Sequence, residues 1–403
     1  MAVKRQILLI LLASVLAGYV PAHLRAQDIM LPSDDYKPKV KKRKPKPDTL
    51  PDAPRLAPMA TIPVASLGYG PPSLTYLGRH YSLVTLDFLD EDRMLFSFRA
   101  PGLLEREATE ASSDRQMKAV VLKLPDGSVE AQGLWTVPDR SAYLWMLEGG
   151  KFLLRERDGL KVGDPTLKTQ QLSELPGQFQ SLRMAPTRKI VVTNTLEPPS
   201  TEFTIRVIST ESGKAIQTSR ARVPSVSSIN SDGYLETTHD KYDQWSLKLN
   251  PFAGGSKLLG HVESTCLPGS TFLTDQEILV AGCNLSRIPK LSAVSMTGQV
   301  LWESETLLPF LPPLLVPSGN GARFVRESII LKKPVRPGSE VLWVKAVRGQ
   351  AARVYDSATS KLLFEMPINP ILDGGGNVAI SPSGHRLAVL NKGSIQVYDI
   401  PAE

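Results

Sequence analysis

The sequence contains few of the residue patterns that mark catalysis, metal binding or nucleotide binding. It has no H-E-x-x-H zinc motif, no G-x-S-x-G nucleophile elbow, no Walker loop and no G-x-G-x-x-G fingerprint. The five histidines among the 403 residues lie far apart, and none has metal-ligand spacing: His23, His80, His239, His261 and His385. We therefore expect no catalytic residue, no cofactor and no bound metal.

Cysteine is scarce too, with Cys266 and Cys283 on either side of two strand-like runs in CLPGSTFLTDQEILVAGC. Antiparallel pairing of these runs would bring the two thiols together. In an oxidising compartment this predicts a disulfide that stabilises the fold by about 3 kcal/mol. Two free buried thiols are the alternative. A metal or redox role has little support, because the pair lacks C-x-x-C spacing and a neighbouring histidine.

The apolar run near the N-terminus, Ile7–Val20, has 14 residues. A membrane-spanning helix needs about 20. Lys4 and Arg5 precede the run, and small residues follow it, so residues 1–26 are predicted to be a secretory signal peptide cleaved at Ala22 or Ala26. We expect a periplasmic or secreted protein. An uncleaved signal that anchors the chain in the inner membrane is the alternative.

Large apolar residues are sparse in residues 27–60, which are rich in proline and lysine and are predicted to be a disordered linker. Seven cations in this segment account for the whole formal charge of +7: Lys37, Lys39, Lys41, Lys42, Arg43, Lys44 and Lys46. Because the basicity is confined to one tract of an exported protein, nucleic acid is not an expected partner. The tract is either attracted to an anionic envelope surface or is a solvated spacer.

The rest of the chain consists of short apolar runs separated by two series of turns. The first series is Asp90–Asp92, Glu148–Gly150, Pro186–Arg188, Ser231–Gly233, Asp275–Gln276, Ser318–Gly321 and Pro382–Gly384. The second is marked by Gly127, Asp164–Thr166, Gly213, Gly255, Gly298 and Ser360. Gly127, Gly213 and Gly298 are 86 and 85 residues apart, which is about two repeats of the length typical of propeller blades.

The last repeat, NVAISPSGHRLAVLNKGSIQVYDI, ends in Val397-Tyr398-Asp399, which repeats Val354-Tyr355-Asp356 at a spacing of 43 residues. This wording resembles WD40-like and quinoprotein-like β-propellers. The resemblance and the turn count imply an all-β fold, a seven-bladed β-propeller of four-stranded antiparallel blades over residues 61–403. The chain ends after the third strand of blade seven. We expect an N-terminal strand within Ile62–Gly78 to close the ring.

AVSMTGQVLWE resembles the repeat of quinoprotein dehydrogenases and of related envelope propellers without a cofactor, with Gly298 and Trp302 as matching residues. This resemblance implies packing between blades, because nothing matches the adjacent cysteine pair or the calcium ligands of the quinone enzymes. The segments LDFLDEDRMLFSF and YLWMLEGGKFLLRERD resemble exported, uncharacterised propellers of acidobacterial type. That resemblance implies an envelope or secreted location and no particular activity.

Two repeats carry predicted insertions between their second and third strands. Ala100–Lys118 is acidic, with Glu105, Glu107, Glu110 and Asp114. Leu331–Gln350 is basic, with Lys332, Lys333, Arg336, Lys345, Arg348 and also Trp343. In a ring of antiparallel blades both insertions emerge on one face. We predict a partner-docking face built on Trp343, Arg336, Lys332, Lys333 and Lys345. Two unrelated surface insertions are the alternative.

Three functions are compatible with the sequence. The first is a monomeric, non-enzymatic scaffold in the bacterial envelope that binds a protein or small-molecule partner. The second is a propeller enzyme, either a lactonase-type hydrolase or a quinoprotein-type dehydrogenase, with a site assembled from several blades. The third is a membrane-tethered envelope assembly factor. The first is favoured because a propeller is expected without a catalytic constellation.

Overall fold

The computed structural model describes residues 48–70, 84–100, 114–138, 142–156, 159–222, 228–282, 289–306, 313–332, 346–372 and 374–401. All of these belong to one compact unit. They contain seven four-stranded antiparallel sheets, arranged as the blades of a ring. The predicted seven-bladed β-propeller is thereby confirmed.

The strands of each blade are named a to d from the axis outward. The first strand in the chain is β1 (Ala60–Pro63). In the order a to d, blade one contains β2 (Val84–Phe88), β3 (Arg93–Arg99), β4 (Asp114–Lys123) and β5 (Val129–Pro138). Blade two contains β6 (Leu144–Met146), β7 (Phe152–Glu156), β8 (Gly159–Gly163) and β9 (Thr169–Glu174). Blade three contains β10 (Gln178–Met184), β11 (Ile190–Leu196), β12 (Phe203–Ser209) and β13 (Ala215–Ala221).

Blade four contains β14 (Ser228–Ile229), β15 (Gly233–Lys241), β16 (Gln244–Pro251) and β17 (Lys257–Glu263). Blade five contains β18 (Gly269–Thr274), β19 (Glu277–Ala281), β20 (Lys290–Ser295) and β21 (Val300–Glu305). Blade six contains β22 (Leu314–Pro317), β23 (Arg323–Leu331), β24 (Val347–Asp356) and β25 (Leu362–Ile368). Blade seven contains β26 (Val378–Ile380), β27 (Arg386–Asn391) and β28 (Ser394–Asp399), with β1 as its strand d. Every turn predicted from the two series lies between the expected strands.

Glycine is required in two of the c–d turns, those of blades three and five, because they meet the preceding blade. Gly213 has a left-handed φ of +69°, and a Cβ atom there would lie 1.9 Å from the carbonyl oxygen of Leu172 in blade two. Gly298 has a φ of +90°, and its Cβ would lie 2.4 Å from the carbonyl oxygen of Leu259 in blade four. Any side chain would therefore be strained and would also separate two blades.

The a–b turns form a ring of contacts between blades. Asn230 Nδ2 donates to the carbonyl oxygen of Asp275 (2.9 Å), which joins blades four and five. Asn320 Nδ2 donates to the carbonyl oxygen of Ser383 (3.0 Å), joining blades six and seven. The Ser383 amide donates to Glu91 Oε1 (2.8 Å), which connects blade seven to blade one. These bonds fix the end of the channel where the a–b turns lie.

The ring is closed by the N-terminal segment. Strand β1 pairs with β28 in antiparallel register, with Ala60 opposite Val397 and Ile62 opposite Ile395. Ile62 and Tyr69 then enter the apolar cluster shared by blades seven and one. The closing strand begins at Ala60, two residues before the predicted segment Ile62–Gly78. Of that segment, Ile62 and Pro63 are in β1, and residues 71–78 lie outside the described residues.

The folded part of the chain begins earlier than residue 61. Leu56 packs against the apolar cluster of blades six and seven, and Met59 packs against that of blades seven and one. The Asp48 side chain is buried against Arg353 of blade six. Residues 48–59, hereafter the strap, were assigned by composition to the disordered linker, but in the structure they pack on the propeller. The first 47 residues, with the predicted signal and basic tract, lie outside the described residues.

Replacement of Ile62 by alanine tests the closure. Ile62 is buried in the cluster of blades seven and one, so we expect Ile62→Ala to lower the free energy of unfolding by about 2–5 kcal/mol. The neighbouring Thr61 is exposed, and Thr61→Ala should change it by less than about 0.5 kcal/mol. Denaturant unfolding of both variants is the measurement. Equal stabilities of the two variants would show that β1 does not hold the ring.

Candidate functional site

The central channel is bordered by the a strands, which lie innermost and contact one another around the axis. Arg183 lies on one of them, β10, and is exposed to solvent although its strand is enclosed by neighbouring blades. Desolvation nevertheless lowers the pKa of Arg183. Because the a strands border the channel, the exposed Arg183 side chain places a positive charge at the channel wall of blade three.

Arg188 lies across the end of the channel that carries the a–b turns. Its Nη1 donates to the carbonyl oxygen of Leu147 in blade two (3.2 Å). A Cβ atom at Gly319 of blade six would lie 3.0 Å from its Nη2. Blades two and six are on opposite sides of a seven-membered ring, so the side chain of this blade-three turn residue crosses the axis. All seven a–b turns are among the described residues, and Arg188 obstructs the passage between them.

Among the acidic groups near Arg188, Asp87 on β2 has the strongest charge interaction with it. Burial raises the pKa of Asp87 to about 7, and the positive charge of Arg188 opposes this rise. Desolvation lowers the pKa of Arg188, while the charges of Asp87 and Glu148 act in the opposite direction. Asp87 and Arg188 are thus a carboxylate and a guanidinium that interact by charge near the a–b end of the channel.

The opposite face of the ring carries the b–c and d–a connections. Beside the channel mouth on this face, Gln350 Nε2 donates to Glu327 Oε1 and to the carbonyl oxygen of Leu372 (2.9 Å). Gln350 Oε1 accepts from Asn377 Nδ2 (3.1 Å), so one amide holds blade six to the connection into blade seven. Burial raises the pKa of Glu327 to about 8, and the hydrogen bond from Gln350 opposes this rise.

Both predicted insertions connect strands b and c at this face. The segment between β3 and β4 is shorter than predicted, because the Ala100 amide already donates to the carbonyl oxygen of Gln116 (3.0 Å). In blade six the Lys332 amide donates to the carbonyl oxygen of Ala346 (2.7 Å), which closes the base of the second loop. Lys332 is exposed at that base. The other predicted docking residues lie outside the described residues: Lys333, Arg336, Trp343 and Lys345.

A serine, a histidine and an aspartate meet on blade four, which the sequence search did not detect. Ser246 Oγ donates to Asp240 Oδ2 (2.6 Å), and His261 Nδ1 lies 3.1 Å from the same oxygen. Ser246 Oγ is 3.2 Å from this same Nδ1. In a hydrolase triad the serine and the carboxylate contact different ring nitrogens. The arrangement is therefore a hydrogen-bonded brace, and it lowers the pKa of Asp240, mainly through Ser246.

A surface cavity of about 320 Å³ lies beside this brace, lined by Tyr242, Gln244 and His261 among others. It is on the rim of the ring and not on the axis. The described residues include no group of three or more His, Cys, Asp or Glu side chains suited to a metal ion. Within the described ranges there is also no helix long and apolar enough to span a bilayer.

Cys266 lies in the d–a connection before β18, and Cys283 lies outside the described residues. The β18–β19 ladder ends with Gly269 opposite Ala281, three residues from one cysteine and two from the other. The predicted pairing stays a prediction. Mass analysis of the unreduced protein, produced in an oxidising compartment, should give the two cysteine peptides linked. Alkylation of both thiols in unreduced, denatured protein would contradict it.

The buried Glu327 predicts a pH dependence of stability. Its pKa is above the ordinary value of 4.5 in the folded state, so the native protein binds more protons than the unfolded chain between pH 4.5 and about 8. Stability should fall as pH rises through this window, by up to about 1.4 kcal/mol per pH unit from Glu327 alone. Urea unfolding at pH 5.5, 6.5 and 7.5 should show a smaller slope for Glu327→Gln. Identical slopes would contradict the assignment.

Comparison with known proteins gives the fold and no family. No protein-family model matches the chain, and no curated protein matches it. Solved structures with a similar fold include the WD40 domain of Toxoplasma gondii coronin, at 8% identity over 89% of this chain and 90% of that chain with a TM-score of 0.47. The β-propeller domain of the Trilobed protease from Pyrococcus furiosus is 11% identical over 80% and 97%, with a TM-score of 0.47. The chain is thus similar to WD40 and other β-propellers.

Proposed function

We propose that the protein is an exported, non-enzymatic scaffold that binds an acidic segment of a partner protein at the face of the b–c connections. The observation that carries the proposal is Arg183, an exposed arginine on β10, the innermost strand of blade three. A carboxylate entering the channel would gain a charge-assisted hydrogen bond there. Entry is from the b–c face, because Arg188 lies across the other end.

The predicted loop of blade six supports the same partner chemistry. Its base at Lys332 is on the b–c face, and its sequence adds Lys333, Arg336, Lys345 and Trp343. A tryptophan among cations is a composition enriched in protein interfaces. Cations around the mouth would attract an acidic segment and raise its association rate. The loop and the channel together would thus recognise one ligand.

Export and the absence of catalysis are parts of the proposal that rest on sequence. The predicted signal peptide and the resemblance to exported acidobacterial-type propellers support an envelope location. The His261 brace supports a non-enzymatic role, because its serine and its aspartate share one ring nitrogen. The predicted enzymes of lactonase or quinoprotein type, and the tethered assembly factor, gain no further support from the described residues.

Capture of partners from a native envelope extract tests the proposal. Arg183→Gln and the double variant Trp343→Ala, Arg336→Ala should both lose the same captured protein, and a glutamate-rich peptide should elute it from the unaltered chain. Arg220→Gln is the matched control, because Arg220 is exposed on the outer strand of blade three. It should retain the partner. An unchanged set of captured proteins with both variants, at unchanged melting temperature, would rule out this face.

A further inference from the structure

Arg353 of blade six is buried in the crevice between blades five and six. On β24 it is two residues from Tyr355, so both side chains are on the same side of the blade. The Tyr355 ring stacks on Phe324 (5.2 Å between centroids), and Phe324 packs against blade five. Arg353 therefore faces blade five. Its side chain is only 6% exposed.

The crevice holds a carboxylate from a distant part of the chain. Arg353 Nη1 and Nη2 donate to the two carboxylate oxygens of Asp48, at 3.1 and 2.9 Å. The Asp48 side chain has no solvent exposure. A second arginine, Arg326, is buried on the same side of blade six and interacts with the Asp48 charge. Paired, two-point bonding of this kind matches the two oxygens of a carboxylate.

The crevice also recognises the backbone and the second residue after the aspartate. Arg353 Nη2 donates to the carbonyl oxygen of Thr49 (2.9 Å). A Cβ atom at Gly349 would lie 2.7 Å from Leu50 Cδ1, so the absence of a side chain there leaves space for leucine. Pro51 is buried next to it, whereas Thr49 itself is exposed. The contacts thus select an Asp-x-Leu segment in which the middle side chain is free to vary.

We propose that the crevice between blades five and six is a peptide-binding groove for extended Asp-x-Leu segments, filled in the resting protein by the chain's own strap. The four strands of blade six are complete without the strap, since Asp48, Thr49 and Leu50 form no ladder. Asp48, Thr49 and Leu50 are connected to β1 through the rest of the strap, residues 51–59. The strap therefore binds as a tethered ligand, and a partner segment of the same chemistry competes with it.

The buried arginines require a carboxylate in the groove. Desolvation alone would lower the pKa of Arg353, but the charge and hydrogen bonds of Asp48, with Glu365, outweigh it and leave that pKa raised. Desolvation lowers the pKa of Arg326, and the adjacent Arg353 adds to this, while Tyr355 and Asp48 act in the opposite direction. An empty groove would leave the buried Arg353 with the half-exposed Glu365 in place of its two-point bond to Asp48. Occupancy by an acidic residue is thus favoured over a water-filled crevice.

A protease site inserted between Leu56 and Met59 in the full-length chain tests the groove, because cleavage there leaves β1 and the ring intact. After cleavage, the fragment carrying Asp48 should stay bound in native mass spectrometry, and Asp48→Asn in the chain should release it. A fluorescent peptide of residues 47–56 should then bind the stripped protein in an anisotropy titration. The uncleaved chain should bind the peptide at least about tenfold more weakly, since its own strap competes.

Two peptide variants make the test specific. Asp48→Asn in the peptide should weaken binding by about tenfold or more, because it removes the charge that pairs with Arg353. Asp52→Asn is the control, since Asp52 is exposed, and it should bind as the natural peptide does. Equal binding of both variants, or loss of the cleaved fragment without any peptide binding, would overturn the proposal. Arg183→Gln in the protein should leave peptide binding unchanged, which separates the groove from the proposed channel site.

Discussion

The structure depends on the antiparallel pairing of β1 with β28. Without a fourth strand, the third strand of the last blade would have an unpaired edge. Here the C-terminal repeat supplies three of the four strands. The fourth comes from the N-terminal end of the propeller, which makes the first and last parts of this ring interdependent. The same segment continues on both sides of β1. Tyr69 packs into the cluster of blades seven and one, while Leu56 packs against blades six and seven. One stretch of chain therefore crosses several blade interfaces.

Closure of the ring gives its two faces different properties. On the a–b face, short turns bond to one another, and Arg188 lies across the axis. On the b–c face, the three longest connections emerge, residues 64–83, 100–113 and 332–346, and the buried pair Glu327 and Gln350 lies beside the mouth. Loops held at one face of a rigid framework are common binding elements.

The fold could be predicted from sequence because propeller turns are local. A turn needs glycine or a polar residue at one position, as at Gly213 and Gly298. In this chain such positions lie between runs in which apolar and polar residues alternate. The closing strand was predicted two residues late, because Ala60 and the single β-branched Thr61 do not form an alternating pattern that distinguishes them from the proline-rich linker. The strap was missed for a different reason. Asp48 and Arg353 are 305 residues apart, and a proline-rich segment with one buried carboxylate has the composition of a disordered one.

The channel residues were missed as well, because the position of Arg183 on a strand does not reveal whether its side chain meets a neighbouring blade or the axis. The proposed function requires an anion-accepting site beside Arg183, on the b–c side of Arg188. A crystal structure with bromide, located by its anomalous scattering, tests this most directly. We expect a bromide ion within hydrogen-bond distance of the Arg183 guanidinium. An empty channel with bromide bound at other arginines, or an ion bound only on the a–b side of Arg188, would contradict it.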